Sequence, residues 1–512
     1  MSTPSARAAE LTQHAEAGES RGPGGGYAPR TRLILWVVVL ALPALGFTLM
    51  HLSGQLPLHS VLLSIALLAA ALWTTELIDP AATGVLTIAL LAAGIGLPAS
   101  VGAPWATVVA PGGKPITGVG TVLASLSSDV MLLMWGSLVL GRASLVTGLS
   151  ERIALIVLKP FSSSPSMLVV GLLISSALLS MWMTNTASAA IMLAVAAPII
   201  VRCDALARAA VLAVAAGCNL GAIASPVGTP PTAMAMQQLR ELGTGVTFAQ
   251  WLLFGLPFAC VLLFGAYLTI RLLVPMQRRW SVSVSNPLIS TTPHDTAHHP
   301  AVRHASPAQW FTGLVFLACV LLWIFGSSWG LTPGVVALCA ASTLIVSGVV
   351  SVTDLRTLQW DVLLLIFAGL CLGEMLDRTG LARLAVEAFS LHTLSPALLV
   401  GKLAVISMIL SAFMSNTAVA ALLLPAALSI VLAAAGTSAN APQLSSETTD
   451  ALFRSAFAVA MGAASAMPLA VSTPANALCF SSGAAHARDF LILGSVVAVL
   501  GVLVCIALEL LA

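Results

Sequence analysis

Two long apolar segments of the sequence are each interrupted at the centre by three consecutive hydrogen-bonding side chains. The interruption is Thr-Asn-Thr at 184–186 in the segment 165–200, and Ser-Asn-Thr at 415–417 in the segment 395–435. Lipid cannot solvate such side chains, so they must face protein, an ion or a bound molecule. A segment of this length that is broken at its centre forms either two short spans or one re-entrant hairpin.

The composition places the chain in a membrane. Of the 512 residues, 58% are hydrophobic and 8% are charged, whereas about a quarter are charged in soluble domains. The net charge of +2 gives no reason to expect a nucleic-acid partner, and no phosphate loop or motif for an organic cofactor occurs. The eight cysteines contain no CxxC pair, which predicts packing residues rather than metal ligands.

About 20 apolar residues cross a bilayer, and the sequence contains eleven such spans besides the two interrupted segments. Two of the spans contain proline-rich breaks at 225–232 and 471–476, where proline removes a backbone donor and frees carbonyls. The sequence therefore predicts an all-α integral membrane protein with eleven transmembrane helices and two re-entrant hairpins. The spans are 33–52, 57–77, 81–98, 122–147, 206–241, 250–275, 309–328, 331–351, 360–378, 451–486 and 488–511.

The placement of lysine and arginine predicts the orientation. With both interrupted segments re-entrant and the N-terminus in the cytoplasm, 15 of these residues fall inside and 6 outside, as the positive-inside rule requires. The expected location is the inner (plasma) membrane of the cell. The predicted regions are a disordered cytoplasmic tail 1–32, a first transmembrane half 33–275 with an inner hairpin 165–200, a cytoplasmic linker 276–308, and a second transmembrane half 309–512 with an outer hairpin 395–435.

The two halves match each other in sequence. Residues 129–141 align with residues 361–373, at an offset of 232. The span count places Asp129 at an outer end and Asp361 at an inner end, so the halves run in opposite directions across the membrane. Each of these aspartates begins a span and is expected to cap it or to mark an ion path. Inverted repeats with broken helices are typical of secondary transporters.

The interruptions also predict a chemistry. Each triplet precedes a helix-forming run, so its side chains lie at a helix N-terminus. Such a terminus carries partial positive charge and favours an anion without lysine or arginine. Carbonyls freed at the proline breaks, with Ser and Asn oxygens, are hard donors that suit sodium. The alternative is that these residues only join packed helices, but two matching triplets favour a binding site.

A membrane enzyme is the competing class of function. The sequence Gly-Ser-Ser-Trp-Gly at 326–330 has the spacing of a nucleophile elbow. It lies in a short turn between two spans, with no strand predicted before it and no His or Asp partner evident in the sequence. We therefore expect no catalytic residues and favour transport.

Four stretches carry further information: residues 182–187, 228–231, 415–425 and 468–477. Together they resemble the signatures of the divalent anion/sodium symporter family, and the resemblance extends from about residue 55 to the end of the chain. It implies eleven spans, two hairpins that bear the triplets, a homodimer, and an elevator-type movement of a transport half against a scaffold. The implied activity is import of a C4-dicarboxylate-like dianion coupled to sodium.

By motif position, the resemblance also implies individual residue roles. The first half departs from the family pattern, with Thr184 where serine is usual and Thr232 where asparagine is usual. Sodium-independent exchange of anions therefore stays an alternative, and sulfate transport is another alternative within the family. The implied sodium ligands are Ser180, Thr184, Asn185 and the Gly228 carbonyl at one site, and Ser411, Ser415, Asn416 and the Ser472 carbonyl at the other. The implied substrate contacts are Asn185, Thr186, Thr229, Asn416, Thr417, Thr473 and Pro474.

Overall fold

The structure is a computed structural model. Apart from the helix starts at Pro29 and Pro307, the predicted tail 1–32 and linker 276–308 lie outside the described residues. The described residues are 29–54, 56–75, 77–107, 115–161, 163–202, 204–274, 306–381, 396–412, 415–435, 444–470 and 472–511.

Every element of secondary structure in these ranges is helical. Several helices begin with proline after a polar cap, such as Pro165 after Ser164 and Pro333 after Thr332, because the first helical N–H has no partner within the helix.

The first half contains α1 Pro29–Leu52, α2 Pro57–Thr75, α3 Pro80–Leu91 (continued by Ala92–Gly96 and Leu97–Ser100), α4 Asp129–Val146, α5 Leu149–Leu158, α6 Pro165–Ser180, α7 Asn185–Arg202, α8 Asp204–Ala222, α9 Pro230–Glu241 and α10 Phe248–Leu273. The second half contains α11 Pro307–Phe325, α12 Pro333–Val346, α13 Trp360–Thr379, α14 Pro396–Ser411, α15 Asn416–Ala434, α16 Ser446–Ser465, α17 Pro474–Ser481 and α18 Ala487–Leu511. Short helical turns occur at Pro104–Thr107, Val119–Leu123, Ala124–Ser127, Lys159–Phe161, Gly326–Trp329 and Val352–Arg356.

Seven helices among the described residues are long and apolar enough to cross a membrane. They are α1, α2, α3, α4, α10, α11 and α18, and each coincides with a predicted span. The other four predicted spans fall on α8 with α9, on α12, on α13, and on α16 with α17, which are shorter, interrupted or more charged. The count of eleven crossings and the re-entrant path of the hairpins therefore stay predictions.

All four predicted interruptions are confirmed as helix breaks. Helix α6 ends at Ser180 and α7 begins at Asn185, whereas α14 ends at Ser411 and α15 begins at Asn416. Helix α8 ends at Ala222 and α9 begins at Pro230, whereas α16 ends at Ser465 and α17 begins at Pro474. Because Pro230 and Pro474 lack an N–H and fix φ, each restarts a helix where the previous one could not continue.

The broken helices form the centre of the protein. Every residue from 209 to 229 and from 455 to 467 is buried. The interrupted segments lie on them, α6 and α7 on α8, and α14 and α15 on α16. The short second pieces reach across the halves, because α9 packs on α15 and α16 while α17 packs on α7 and α8. Both halves therefore contribute to the same central region.

Two glycines allow the close approach of these helices. A Cβ at Gly221 of α8 would overlap the backbone of Ala177 in α6. A Cβ at Gly462 of α16 would lie 2.5 Å from the carbonyl oxygen of Ala404 in α14. Any larger residue at either position would separate the interrupted segment from its broken helix, since close-packed interiors do not absorb such overlap.

Candidate functional site

The two triplets lie at helix N-termini, as predicted. Helix α7 begins at Asn185, and the Ala187 N–H donates to Thr184 Oγ1 at 3.4 Å. Helix α15 begins at Asn416, and the Ala418 N–H donates to Ser415 Oγ at 3.2 Å. The first triplet residue thus caps the helix, which leaves the asparagine side chain free for other partners.

The proline breaks supply two further helix starts. Helix α9 follows Thr229 and helix α17 follows Thr473, and both threonines have extended backbone. Thr473 Oγ1 accepts from the Asn476 N–H at 3.1 Å and caps α17. Among the described contacts Thr229 makes no capping bond, so its hydroxyl is available to a ligand.

A cavity of about 250 Å³ joins these four helix starts. Both triplets and both breaks line it, so the structure brings together most of the residues singled out from the sequence. The predicted residues in its lining are Thr184, Asn185, Thr186, Gly228, Thr229, Ser415, Asn416, Thr417, Ser472, Thr473 and Pro474. The other two predicted residues, Ser180 and Ser411, are fully buried and are not part of the lining.

Ser180 and Ser411 make equivalent bonds in the two halves. Ser180 Oγ donates to the Cys218 carbonyl of α8, and Ser411 Oγ lies 2.8 Å from the Ala463 carbonyl of α16. Ser411 Oγ also lies 2.8 Å from Asn416 Oδ1. A hydroxyl has only one proton, so Ser411 can donate to one of these oxygens at a time. When Ser411 donates to the Ala463 carbonyl, lone pairs of both Ser411 Oγ and Asn416 Oδ1 are available to a cation.

A chain of three buried or half-buried amides crosses the site. Asn185 Nδ2 donates to Asn219 Oδ1 at 3.3 Å, and Asn219 Nδ2 donates to Asn476 Oδ1 at 2.8 Å. Asn476 Nδ2 then donates to the carbonyls at Met467 and Leu469 in the second break. Sequence reasoning missed the role of Asn219; its only signal is a single amide within the apolar run of α8.

Gly228 holds the first break against the hairpin. A Cβ at this position would lie 2.7 Å from the Ser180 carbonyl oxygen and 2.6 Å from the Ala222 Cα. The backbone of the break thus touches the end of α6, which brings the Gly228 carbonyl region and the first triplet to the same part of the cavity. Glycine is required here by contact distance, not by an unusual φ.

The cavity also has an acidic wall. Asp79 and Asp361 belong to its lining, together with Gln359, and both aspartates are exposed. Asp79 Oδ1 also caps α3 by accepting from the Ala81 N–H at 2.8 Å. Among the described residues that line the cavity, none is Lys, Arg or His. Any attraction for an anion must therefore come from helix termini, amides and hydroxyls or from bound cations.

A family model described as the sodium:sulfate symporter transmembrane region matches residues 30–511, nearly the whole chain. The chain belongs to this family. It is a multi-pass membrane transporter and not an enzyme. The resemblance drawn from the triplets and breaks is thereby confirmed.

Curated relatives agree with the family assignment. The chain is 26% identical over 506 residues to a protein of Staphylococcus saprophyticus named sodium-dependent dicarboxylate transporter SdcS, an alignment that covers 93% of this chain and 89% of that protein. It is 27% identical over 446 residues to a transporter of Haemophilus influenzae, covering 82% and 85% of the two chains.

A solved structure supports the fold. The crystal structure of the Alcanivorax borkumensis YdaH transporter superposes with a TM-score of 0.52 at 16% sequence identity. The match covers 84% of this chain and 97% of that one. At this identity the likeness supports a shared fold and carries no argument about substrate.

Proposed function

We propose that this symporter-family chain imports a divalent organic anion, of the size of a C4-dicarboxylate, together with sodium. The observation that carries the proposal is the meeting of four helix N-termini, those of α7, α9, α15 and α17, at one cavity without a cationic side chain in its described lining. A dianion with a carboxylate at each end matches two such pairs, one pair from each half of the chain.

The substrate contacts follow from this arrangement. The amide nitrogens of Asn185 and Asn416 and the hydroxyls of Thr229 and Thr417 lie in or beside the cavity lining and are donors of suitable chemistry. Thr186 and Thr473 add hydroxyls, and Pro474 marks the start of α17. Because these donors are all neutral, they do little to separate one dianion from another by charge. The shape of the cavity and the number of substrate carboxylates that it can pair decide which dianion is transported.

Sodium ions are the proposed co-substrates. Each half offers four oxygen donors: a serine at the end of the helix before the triplet, the hydroxyl that caps the next helix, the asparagine side-chain oxygen, and a backbone carbonyl in the proline break. In the first half these are Ser180, Thr184, Asn185 and Gly228, and in the second half Ser411, Ser415, Asn416 and Ser472. These are hard neutral oxygens. Two bound sodium ions would offset the charge of a dianion beside Asp79 and Asp361, and the relative from S. saprophyticus is named as sodium-dependent.

The packing supports an elevator-type movement. Helix α12 packs on α4 and α13 packs on α3, and these four helices form the proposed scaffold. Helix α13 also packs on α15, so the proposed sliding surface runs along α13. The interrupted segments and broken helices pack together as the proposed transport body. The cavity lies between the two, with Asp361 on the scaffold side and Asn416 on the other. We further propose inverted repeats, a homodimer, and an N-terminus on the cytoplasmic side of the plasma membrane.

Sulfate transport and sodium-independent exchange are the alternatives within the family. The family is described as sodium:sulfate symporters, and sulfate is also a dianion that helix N-termini bind. Thr184 and Thr232, which differ from the usual family residues, weaken the first sodium site rather than the second.

Uptake by purified protein in proteoliposomes tests these choices. Labelled succinate, citrate and sulfate should be offered separately, with an inward gradient of sodium, potassium or choline. We expect succinate uptake that requires sodium. Equal succinate uptake in choline, driven only by internal dicarboxylate, would support exchange instead, and preferential sulfate uptake would replace the substrate assignment.

A further inference from the structure

A second cavity, of about 300 Å³, lies between α10, α14, α16 and α18. It is separate from the triplets and breaks, and the transport proposal does not use it. Its lining combines a charged group with an aromatic group: Asp450, Arg454, Glu509, Phe254, Phe453 and Phe457.

The charged group is incompletely paired. Arg454 Nη1 lies 3.3 Å from Glu509 Oε1, which is long for a charge-assisted hydrogen bond. The Glu509 side chain is 6% exposed, and its Oε2 is buried with no hydrogen-bond partner among the described residues. Asp450 lies one turn before Arg454 on α16 and is exposed. The lining thus has one cation, two carboxylates and one buried carboxylate oxygen that lacks a donor, a costly arrangement.

The aromatic group has an exposed apolar rim. The rings of Phe254 and Phe453 are 5.0 Å apart, and those of Phe453 and Phe457 are 5.9 Å apart. At the rim, Phe254 is 45% and Leu508 37% exposed, an apolar surface that suits acyl chains. Of the charged residues, Asp450 lies near the beginning of α16 and Glu509 near the end of α18. Helix ends of a membrane protein favour the level of the lipid headgroups over the membrane centre.

We propose that this cavity binds the headgroup of a phospholipid with a primary ammonium group, such as phosphatidylethanolamine. The ammonium meets the carboxylates of Asp450 and Glu509, the two negative groups of the lining. The phosphate meets Arg454, and the acyl chains lie along the phenylalanine rings. A choline headgroup has no N–H to donate to Glu509. An anionic headgroup without an amine would be repelled by two carboxylates and attracted by only one arginine. Neither headgroup therefore suits the site as well.

Native mass spectrometry of the full-length detergent-purified protein tests the proposal. The protein is exposed to an equimolar mixture of phosphatidylethanolamine, phosphatidylcholine and phosphatidylglycerol. We expect one phosphatidylethanolamine to be retained in preference to the other two. Glu509→Gln removes the charge that attracts the ammonium and should lower this retention about tenfold, the usual effect of losing one charged hydrogen bond. Glu447→Gln is the matched control, because Glu447 is exposed on the same helix and does not line the cavity.

A second variant keeps the test decisive if Glu509→Gln misfolds. Asp450→Asn changes an exposed side chain and should lower retention by a smaller factor. Equal retention of the three lipids, or full retention in both variants, would overturn the proposal. If soluble phosphoethanolamine displaces the lipid at equal concentration, the proposal that a lipid occupies the cavity is wrong. If it does not displace the lipid, the result supports the proposal.

Discussion

Asp129 and Arg240 form an ion pair, with 2.7 Å between Asp129 Oδ2 and Arg240 Nη1. Asp129 Oδ1 also accepts from the Gly334 N–H at 2.9 Å. Asp129 and Gly334 belong to α4 and α12 of the proposed scaffold, whereas Arg240 lies at the end of α9 in the proposed transport body. This pair therefore joins two parts that an elevator movement would separate.

Cross-linking this pair should stop transport. In a background without the exposed Cys260 and Cys339, Asp129→Cys with Arg240→Cys can be joined by a bifunctional methanethiosulfonate reagent, which forms a reducible disulfide with each cysteine. We expect uptake to fall to background after cross-linking and to return after reduction, because α9 could no longer move past α4. Uptake of a labelled dicarboxylate into proteoliposomes gives the readout.

The matched control is the pair Arg142 and Asp354, whose ion pair of 2.7 Å lies within the proposed scaffold. The same reagent on Arg142→Cys with Asp354→Cys should leave uptake unchanged. Full activity of the cross-linked Asp129 and Arg240 variant would contradict the elevator proposal.

Asn416 should be the most sensitive residue of the cavity. Asn416→Ala removes an amide nitrogen for the substrate and an oxygen for a cation, and Asn416→Asp places a negative charge beside the substrate. Losing one hydrogen bond to a charged partner costs about 1.5–3 kcal/mol, roughly ten- to a hundredfold in binding. Measured uptake should therefore be nearly abolished, with Asn185→Ala less severe. Thr343→Ala on α12, whose hydroxyl bonds only the Cys339 carbonyl among the described contacts, should transport normally.

The acidic wall should weaken substrate binding. Asp361→Asn removes a like charge across the cavity, and we expect the KM for a dianion to fall by roughly two- to tenfold, as Coulomb energies across a partly wet cavity imply. Asp79→Asn should act in the same direction while the asparagine still caps α3. A higher KM together with weaker sodium dependence would instead mean that these aspartates hold a cation.

The contact between Asp354 and Arg142 should be insensitive to physiological pH. The Ser351 hydroxyl and backbone N–H, followed by Arg142, lower the pKa of Asp354 from 3.8 to about 2. Because the folded-state pKa is depressed, the stabilisation is fully present above about pH 4 and is lost as the pH falls through about 2. The Tm difference between the parent and Asp354→Asn should thus be equal at pH 5 and pH 8. A difference that grows between these values would contradict this assignment.

Thiol labelling should test the proposed orientation. A cysteine in place of His298 in the linker should react only from the cytoplasmic side, and Glu447→Cys at the start of α16 only from outside. Labelling of both from one face would overturn the count of eleven crossings and the inverted repeat with it.

The sequence predicts the helix breaks well because their signals are local. A cap residue followed by asparagine starts α7 and α15, and a proline after threonine starts α9 and α17, within a few residues of the expected positions. Spans with a long uniform apolar run, such as α10 and α18, are equally evident from the sequence.

The remaining features depend on pairings between distant parts of the chain. The sequence predicts that Asp129 either caps its helix or marks an ion path, but Ser128 is the cap and Asp129 pairs with Arg240. The bond between Asn219 and Asn476 joins residues 257 positions apart, and no local spacing predicts it. The place of Asp79 on the cavity wall likewise depends on how α3 meets the triplets.

The bond between Asn219 and Asn476 has a consequence for biogenesis. Asn219 is made and inserted well before its partner leaves the ribosome, and until then one amide hydrogen of a residue that is 2% exposed has no final acceptor. A chaperone or a water-filled insertion site must tolerate this polar group in the meantime. A first half expressed alone should therefore be degraded, and co-expression with the second half should rescue it.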